Sequence, residues 1–430
     1  MLCVTWMQAL HLTILNIVMT NSSPLVTGAS RERVLLLTLA GVQFTHILDF
    51  MIMMPLGPQL TRLFGISDAQ FGLLVSAYTF AAGLSGLAAS TYLDRFDRKK
   101  LLLTLYTLFA LATLACGLAP TFGFLMAARV AAGLFGGVLT ALCQTIVADA
   151  VPFERRGRAM GVVMSSFSVS TVAGVPLSLW IASHWGWNWP FIAIAALSGL
   201  FALGALYSLP SLSGHLDGER AGTWQGIARV LREPNHLRAL LFTALMMFTG
   251  FTVIPYITIY LQANVGLTDT EIPWLYLCGG LATLFTARLV GRMADHLGKV
   301  RVFSWLALAL AFPLVGMTVL PQVPLWVVLV VSTSMFVFMS GRMIPGMALV
   351  TSAADPALRG TFMAFSSAVQ SAAMGTAAFV GGHIIQRDAA GLVRHYWLAA
   401  LVGVAASLLS IVVVRTLRLH GAPGVEHRSV

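Results

Sequence analysis

The stretch TYLDRFDRKK, residues 91–100, decides how the rest of the sequence is interpreted. Six of its last seven residues are charged, although only 10% of the chain is charged and long apolar runs flank the stretch on both sides. A second stretch, GRMADHLGKVR at residues 291–301, repeats the arrangement, with Asp295 at the place of Asp94. These charged loops indicate a chain of long apolar segments built from two halves of like sequence.

The composition is typical of a membrane protein. The chain has 430 residues, 58% of them hydrophobic, and a mean hydropathy of +0.84. A soluble domain would carry about 25% charged residues, and the apolar segments, roughly 18–25 residues each, match a hydrocarbon layer of about 30 Å. The sequence lacks the segments of alternating polarity that form a membrane barrel. The predicted fold class is therefore all-α, with helices that cross the membrane.

Twelve apolar segments divide the chain, and its longest connection, residues 210–237, lies near the middle. We predict that this connection is a cytoplasmic loop between two six-helix halves at 34–209 and 238–417, with an N-terminal tail (1–33) and a cytoplasmic tail (418–430). Its segment TWQGIARVLRE is expected to form a short amphipathic helix on the membrane surface. The apolar segments are 34–58, 69–93, 101–119, 123–150, 159–183, 188–209, 238–263, 270–293, 301–320, 324–352, 361–386 and 395–417.

The basic residues predict the orientation of the chain. With the start of the first segment inside, twenty of the 26 Lys and Arg residues lie in inner loops and tails, and only Arg62, Arg387 and Arg394 lie in outer loops. This positive-inside bias predicts a protein of the inner (plasma) membrane with both termini in the cytoplasm. It also accounts for the net charge of +10 without a nucleic-acid partner.

The first 18 residues lack the basic start and the small-residue cleavage site of a signal peptide. We interpret them as an overlong start, with Met19 as the alternative first residue, or as a disposable interfacial helix. The four cysteines lie in apolar segments without paired spacing and are interpreted as small buried side chains, neither a disulfide framework nor a metal site.

A second pair of loops also repeats. PFERRGRAM (152–160) and DPALRGTFM (355–363) share Pro, Arg-Gly and Met, and each follows an apolar segment at the equivalent place. Basic inner loops alone would explain the charges but not this shared spacing. Transporters built from two such repeats bind substrate between the halves near the middle of the membrane and rock the halves alternately. A transporter of a small molecule is therefore the leading prediction.

The loop at 91–100 resembles the signature Gly-x-x-x-Asp-Arg-x-Gly-Arg-Lys of the major facilitator superfamily. Ser90 and Asp97 replace its two glycines, and the copy at 291–301 is the cleaner match. The resemblance implies a paired inner gate that stabilises the outward-facing state. Because an Asp at a helix end accepts hydrogen bonds from Arg or from a neighbouring helix start, such a gate can switch between two states. The gate residues are predicted to be Asp94, Arg95, Arg98, Lys99, Asp149 (with Arg155 or Arg156 as its partner), Gly291, Asp295, Gly298, Lys299 and Arg301.

Two charged residues are predicted to lie inside the membrane in the first half, where charge is costly and usually functional. Asp49 lies about 22 Å from the inner end of the first segment, and Arg129 about 9 Å from the outer end of the fourth, at 1.5 Å per residue. The depths agree, so the side chains are expected to pair, because either alone would be a bare charge in hydrocarbon. His46 is one turn from Asp49 on the same face and is expected to pack there, to line the cavity or to share the proton.

These residues carry the functional part of the resemblance. In several drug:proton antiporters of the superfamily, an acidic residue in helix 1 and an Arg in helix 4 serve proton coupling. ARVAAGLFGG is similar to that helix 4 motif through Arg129, Gly133 and Gly137, and STVAGVPLS is similar to the Gly-Pro signature of exporters through Gly174 and Pro176. The similarity to the twelve-helix drug and sugar efflux branch implies proton-coupled export. A static buried salt bridge is the alternative for the pair.

The predicted function is proton-coupled efflux of a small organic compound, with proton-linked uptake or uncoupled facilitation of a sugar, nucleoside or similar metabolite as the alternative. The sequence has no nucleotide-binding Gly-Lys-Ser/Thr loop and no His-x-x-x-His pair, so neither an ATP-driven pump nor an enzyme is predicted, and no cofactor is expected besides the coupling ion. Two halves in one chain favour a working monomer. Candidate cavity residues are Gln43, Gln144, Tyr256, Arg342 and Gln370, and Gly341 and Pro345 predict a broken or kinked helix beside Arg342.

Overall fold

The structure, a computed structural model, describes residues 29–92, 96–209, 223–355 and 358–419. Twelve helical segments in these residues are long and apolar enough to cross a membrane. The predicted fold class, an all-helical membrane protein with twelve spans, is confirmed. The first 28 residues, together with Asp94 and Arg95, lie outside the described residues.

The spans are numbered 1 to 12 in chain order, and their ends are called inner and outer according to the predicted orientation. The first six are Ala29–Ile52, Asp68–Tyr92, Arg98–Gly117, Phe122–Gly136 with Leu139–Ala150, Phe153–Val169 with Val175–Trp185, and Trp189–Ser208. The last six are Pro234–Phe251 with Ile257–Tyr260, Ile272–Leu297, Lys299–Thr318, Leu325–Ala353, Arg359–Ile384 and Tyr396–Val414.

The first span ends earlier than the hydropathy predicted, at Ile52 instead of residue 58. A turn at 53–56 follows, and a separate helix of 8 residues, Gly57–Phe64, continues the chain. Pro55 and Pro58 explain the break, because proline has no N–H to donate and disfavours a helical conformation of the residue before it.

Proline has opposite effects in spans 7 and 10. Span 7 is interrupted after Phe251 by a 3-10 turn, Ile254–Tyr256, which contains a proline, and it ends in a π-helical turn at Leu261–Val265. Span 10 is one continuous helix with Pro345 inside it, so it is not broken beside Arg342, and the alternative of a kink there stays a prediction. The fourth residue before Pro345 is a glycine, which lets the backbone relieve the clash with the proline ring.

The connection between the halves contains the predicted short helix, Thr223–Arg232. Its Val230 is fully buried and belongs to the same hydrophobic core as residues of spans 7, 9, 10, 11 and 12. This helix therefore packs against the second half.

The two halves meet along spans 2 and 11 and along spans 5 and 8. Gly83 of span 2 is so close to span 11 that a Cβ atom there would lie 2.9 Å from the Cβ atom of Ser371. Ser76 Oγ donates to the Gly375 backbone oxygen across the same interface at 2.7 Å. Spans 5 and 8 approach each other in the same way at Gly280. Small residues thus permit the close packing by which membrane helices associate.

A two-stranded hairpin connects spans 11 and 12 at the outer end. Strand β1 (Gln386–Arg387) pairs antiparallel with β2 (Val393–Arg394). The carboxylate of Asp388 holds the turn by accepting hydrogen bonds from two backbone amides and from Arg394. These bonds, led by the one from the Leu392 amide, lower the pKa of Asp388 below its ordinary value. The hairpin thereby fixes Arg387 at the outer end of span 11.

Candidate functional site

Asp49 of span 1 and Arg129 of span 4 lie together in the first half. Arg129 Nη1 is 2.9 Å from Asp49 Oδ2, and the two side chains are 1% and 0% exposed. Thr113 Oγ1 of span 3 donates to the other carboxylate oxygen at 3.2 Å. The structure thus contains the pairing that the sequence predicted, and each charge offsets the cost of burying the other.

Tyr78 of span 2 completes this site, and the sequence reasoning missed it. The guanidinium carbon of Arg129 lies over the Tyr78 ring, 4.2 Å from its centroid, where a cation is attracted to the aromatic face. Tyr78 stacks on Phe50 with centroids 5.5 Å apart, and Phe50 stacks on Phe251 of span 7 at 6.1 Å. A continuous set of ring contacts therefore joins the ion pair to the second half.

Span 4 can approach span 2 because of its glycines. A Cβ atom on Gly133 would lie 2.4 Å from the Tyr78 backbone oxygen, and one on Gly137 would lie 2.4 Å from the Ala82 backbone oxygen. Both predicted packing glycines therefore lie at a tight helix contact. This contact brings Arg129 over the ring of Tyr78.

His46 occupies a packing position beside the ion pair. Its ring centroid is 5.7 Å from that of Phe109, and a Cβ atom on Gly136 would lie 2.9 Å from the imidazole. Among the described residues, its Nδ1 has no hydrogen-bond partner. A share of His46 in proton transfer stays a prediction.

Span 5 contains a π-helical turn, Ser170–Gly174, shortly before Pro176. Proline cannot donate to the preceding turn, which favours such a local change in helix geometry. Ser166 and Ser170 donate to two backbone oxygens of span 1 at 2.8 and 3.1 Å, and Gly174 continues this row of small residues. Span 5 therefore packs along the span that carries Asp49.

The inner end of the first half holds a second buried charge. Arg98 is 4% exposed, and its Nε lies 3.4 Å from Asp149 Oδ2. The predicted pairing of Asp149 with Arg155 or Arg156 is wrong, because Arg155 binds Glu32 at 2.8 Å and Arg156 donates to a backbone oxygen. The chain turns between spans 4 and 5, which carries Arg155 toward the start of span 1.

The charged loop of the second half has a different arrangement. Gly298 turns the chain between spans 8 and 9 with a φ of 90°, a conformation that glycine adopts without strain, and Gly291 lies within span 8. Asp295 and Arg301 are exposed and Lys299 is half-buried, and no ion pair involving them occurs in the part of the chain that the structure describes. The assignment of this loop and of Lys99 to an inner gate stays a prediction.

Arg387 and Asp68 join the halves at the outer end. Arg387 Nε and Nη2 donate to the two carboxylate oxygens of Asp68 at 2.9 and 2.8 Å, and the Asp68 side chain is 4% exposed. The hydrogen bonds to Asp68 raise the pKa of Arg387, and the carboxylate lies in the first turn of span 2, where the helix dipole favours it. Arg62 and Asp269 approach to 3.9 Å across the same interface. In the described residues, the ion pairs that join the halves lie at this end.

A family model described as Major Facilitator Superfamily matches residues 39–252 and again residues 239–428. The chain belongs to the Major Facilitator Superfamily. The first match covers the first half and extends into span 7, and the second covers the last six spans from within span 7, in agreement with the repeated charged loops. The resemblance seen in the sequence is therefore confirmed, and this superfamily member is a multi-pass membrane transporter.

Its curated relatives include transporters and an efflux pump. The inner membrane transport protein YdhP of Escherichia coli K12 is 27% identical over 244 residues, which are 56% of this chain and 62% of that protein. A chloramphenicol efflux pump of Mycobacterium tuberculosis is 27% identical over 243 residues, 56% of this chain and 58% of the pump. The matched stretches thus span less than two thirds of either relative.

Solved structures share the fold of this superfamily member. The nucleoside transporter NupG has a TM-score of 0.72 at 12% identity, with 89% of this chain and 99% of that chain covered. A D-xylose-proton symporter has a TM-score of 0.71 at 18% identity, with 89% and 97% covered. At these identities the likeness concerns the twelve-span architecture alone.

The candidate cavity residues of this superfamily member differ in their surroundings. Gln43 is fully buried and accepts from Thr140 at 3.1 Å. Arg342 is 1% exposed and donates to the Met246 backbone oxygen at 2.7 Å. Tyr256 is fully buried and packs at the outer interface, where its hydroxyl donates to a backbone oxygen of span 11. Gln144 and Gln370 are half-buried, and each has a methionine sulfur as its contact.

Replacing Gly137 by Ala is expected to destabilise the protein by about 1–3 kcal/mol, because the added methyl group would overlap a backbone oxygen of span 2. Thermal unfolding of detergent-purified protein measures the effect. Gly123→Ala is the matched control, because a Cβ atom at this position of the same span would meet nothing within 4 Å. Equal melting temperatures for the two variants would contradict the tight contact of spans 2 and 4.

Proposed function

We propose that this superfamily member exports a small organic compound in exchange for protons, by alternating access of its two halves. The observation that carries the proposal is the ion pair of Asp49 and Arg129, which is 2.9 Å long and withdrawn from solvent. Ionisable residues inside membrane spans are costly and mark ion or proton pathways. The proton is the proposed coupling ion, since one buried carboxylate provides too few oxygen ligands for a metal cation.

Protonation of Asp49 discharges its carboxylate and frees the guanidinium of Arg129. The freed cation lies over Tyr78, and the ring contacts continue through Phe50 to Phe251 in the second half. A change of charge at the ion pair therefore alters a contact between the halves. In a two-state switch, such a contact is the element that has two arrangements. The proton then binds in the outward-facing state of the transporter, and the substrate binds in the inward-facing state.

The direction of transport rests on two further points. One relative is a chloramphenicol efflux pump. Span 5 has a π-helical turn that ends at Gly174, two residues before Pro176, and these two residues resemble the exporter signature. We further propose that the protein works as a monomer in the inner membrane, with both termini in the cytoplasm and without ATP. Its substrate is a small molecule that enters between the halves.

The test is growth of an efflux-deficient bacterial strain on a panel of toxic compounds and excess metabolites. The strain expresses the wild type, Asp49→Asn or an empty vector. Protection by the wild type but not by Asp49→Asn is the expected result. Sensitisation by the wild type would instead support the alternative, proton-linked uptake. Growth equal to that of the empty vector on every compound, with the protein present in the membrane, would contradict export of all compounds tested.

The inner gate gives a separate prediction. Asp94→Asn and Asp295→Asn are each expected to slow transport roughly tenfold, within the range of coupling energies of two-state proteins, while the protein stays in the membrane. The measurement is the initial rate of export of a compound found in the growth test. Glu233→Gln, at an exposed acidic residue before span 7 that forms no ion pair in the described part of the chain, is the control. Normal rates in both loop variants would contradict a gate at these loops.

A further inference from the structure

A cleft opens at the inner end of the second half, between spans 8, 9, 10 and 12. Its volume is about 1040 Å³, and its lining includes Lys299, Arg301 and Arg415 together with one acidic residue, Asp295. In the described residues, none of the three cations takes part in an ion pair. Among the described residues, the cleft therefore carries an excess of positive charge that no ion pair neutralises.

The first half shows what the second half lacks. Residues 147–160 and 350–363 align without a gap through a shared Val, Ala, Arg-Gly and Met, which sets Asp149 opposite Ser352. The two charged loops align in the same way and set Arg98 opposite Lys299. In the first half the corresponding residues form an ion pair at 3.4 Å. In the second half, Ser352 and Lys299 both line the open cleft, so the counter-ion is missing at the equivalent place.

The walls of the cleft are apolar. Trp305 and Leu308 of span 9 line it and are 51% and 48% exposed, and Leu349 and Leu419 line it as well. Trp305 lies four residues beyond Arg301, about one helix turn along the same face, so an aromatic side chain adjoins a cation at the predicted level of the inner membrane surface. A ligand that fits has an anionic head and an apolar body.

We propose that this cleft binds an anionic phospholipid of the inner leaflet. The headgroup phosphate accepts hydrogen bonds from Lys299, Arg301 and Arg415, and the acyl chains contact Trp305 and Leu308. Basic pockets between helices at the cytoplasmic side of a membrane attract such headgroups. The lipid supplies in the second half the negative charge that Asp149 supplies in the first.

The experiment titrates purified protein in phosphatidylcholine nanodiscs with fluorescent phosphatidylglycerol, and separately with fluorescent phosphatidylcholine. Ser352→Asp is expected to weaken phosphatidylglycerol binding roughly fivefold, because it restores one counter-charge. Ser352→Asn, similar in shape but uncharged, is the matched control and is expected to bind like the wild type. The double variant Arg301→Gln/Arg415→Gln is expected to bind phosphatidylglycerol roughly thirtyfold more weakly than the wild type. Arg292→Gln, outside the cleft, is expected to change this affinity little.

Inorganic phosphate separates a lipid site from a phosphate site. We expect millimolar phosphate to leave phosphatidylglycerol bound, because it has no apolar body to contact the walls. Displacement of the lipid by phosphate, equal binding of the two lipids, or equal affinities of Ser352→Asp and Ser352→Asn would each overturn the proposal. Size-exclusion profiles of all variants verify that they are folded.

Discussion

Asp49→Asn is expected to abolish proton-driven transport and to destabilise the protein by about 3–5 kcal/mol. The loss of stability arises because Arg129 then stays buried without its counter-charge. The loss of transport arises because the amide can no longer take up a proton. Thr113→Val removes only a hydrogen bond to the carboxylate and is the mild control. The measurements are unfolding midpoints in detergent and pH-gradient-driven export in proteoliposomes.

The double variant Asp49→Asn/Arg129→Met separates coupling from a static salt bridge. Removal of both charges leaves no unpaired charge behind, so stability is expected to return to within about 1–2 kcal/mol of the wild type. Under proton coupling, transport remains lost although the protein is stable again. If the pair served packing alone, transport would recover together with stability. Recovery of gradient-driven export in the double variant would therefore refute a coupling role of Asp49.

The sequence was sufficient for the architecture because the constraints of the membrane are strong. Every buried backbone group in hydrocarbon must be paired within a helix, so long apolar runs identify the spans, and the repeated loops identify the halves. The ends of spans were less predictable. The end of span 1 at Ile52 and the turn in span 7 depend on prolines inside apolar runs, to which hydropathy is insensitive.

The pairing of Asp49 with Arg129 was predictable for a different reason. A charge in hydrocarbon demands a partner, and in the first half the sequence offered one acid and one base at a common depth. Tyr78 was not predictable, because its side chain carries no charge that demands a partner. The partner of Asp149 was not predictable, because several basic residues lie near the inner end. The choice between Arg98 and Arg155 depends on how the chain turns between spans 4 and 5, a matter of tertiary geometry.

The outer ion pair of Asp68 and Arg387 also escaped the sequence reasoning, although the signal was present. Outer loops contain few basic residues, so each basic residue that is present there is expected to have a specific structural or functional role. The structure gives an acidic partner to all three: Asp269 for Arg62, Asp68 for Arg387 and Asp388 for Arg394. Of these acids, Asp68 is the most buried, at 4% side-chain exposure. Its pair with Arg387 is therefore the one with the largest expected effect on the closure of the outer end.

Arg387→Met is expected to open the outer end about tenfold more often, because two charge-assisted hydrogen bonds between the halves are lost. Since Arg387 is partly exposed, these bonds contribute roughly 1.4 kcal/mol to the closed state. The reporter is Ile259→Cys in a cysteine-free background. This residue is 2% exposed and adjoins Gly57 of the first half, so a maleimide that does not cross membranes reacts with it when the halves separate.

Arg394→Met is the matched control for this measurement. It removes an equal charge from the same hairpin, but its partner Asp388 belongs to that hairpin, so the contact between the halves is untouched. The charge exchange Asp68→Arg/Arg387→Asp restores an ion pair in the reverse sense and is expected to slow labelling again. Opening of the outer end is one half of the transport cycle. An ion pair that closes this end therefore stabilises the inward-facing state relative to the outward-facing state. Equal labelling rates in Arg387→Met and Arg394→Met would mean that helix packing along spans 2 and 11, and not this pair, keeps the outer end closed.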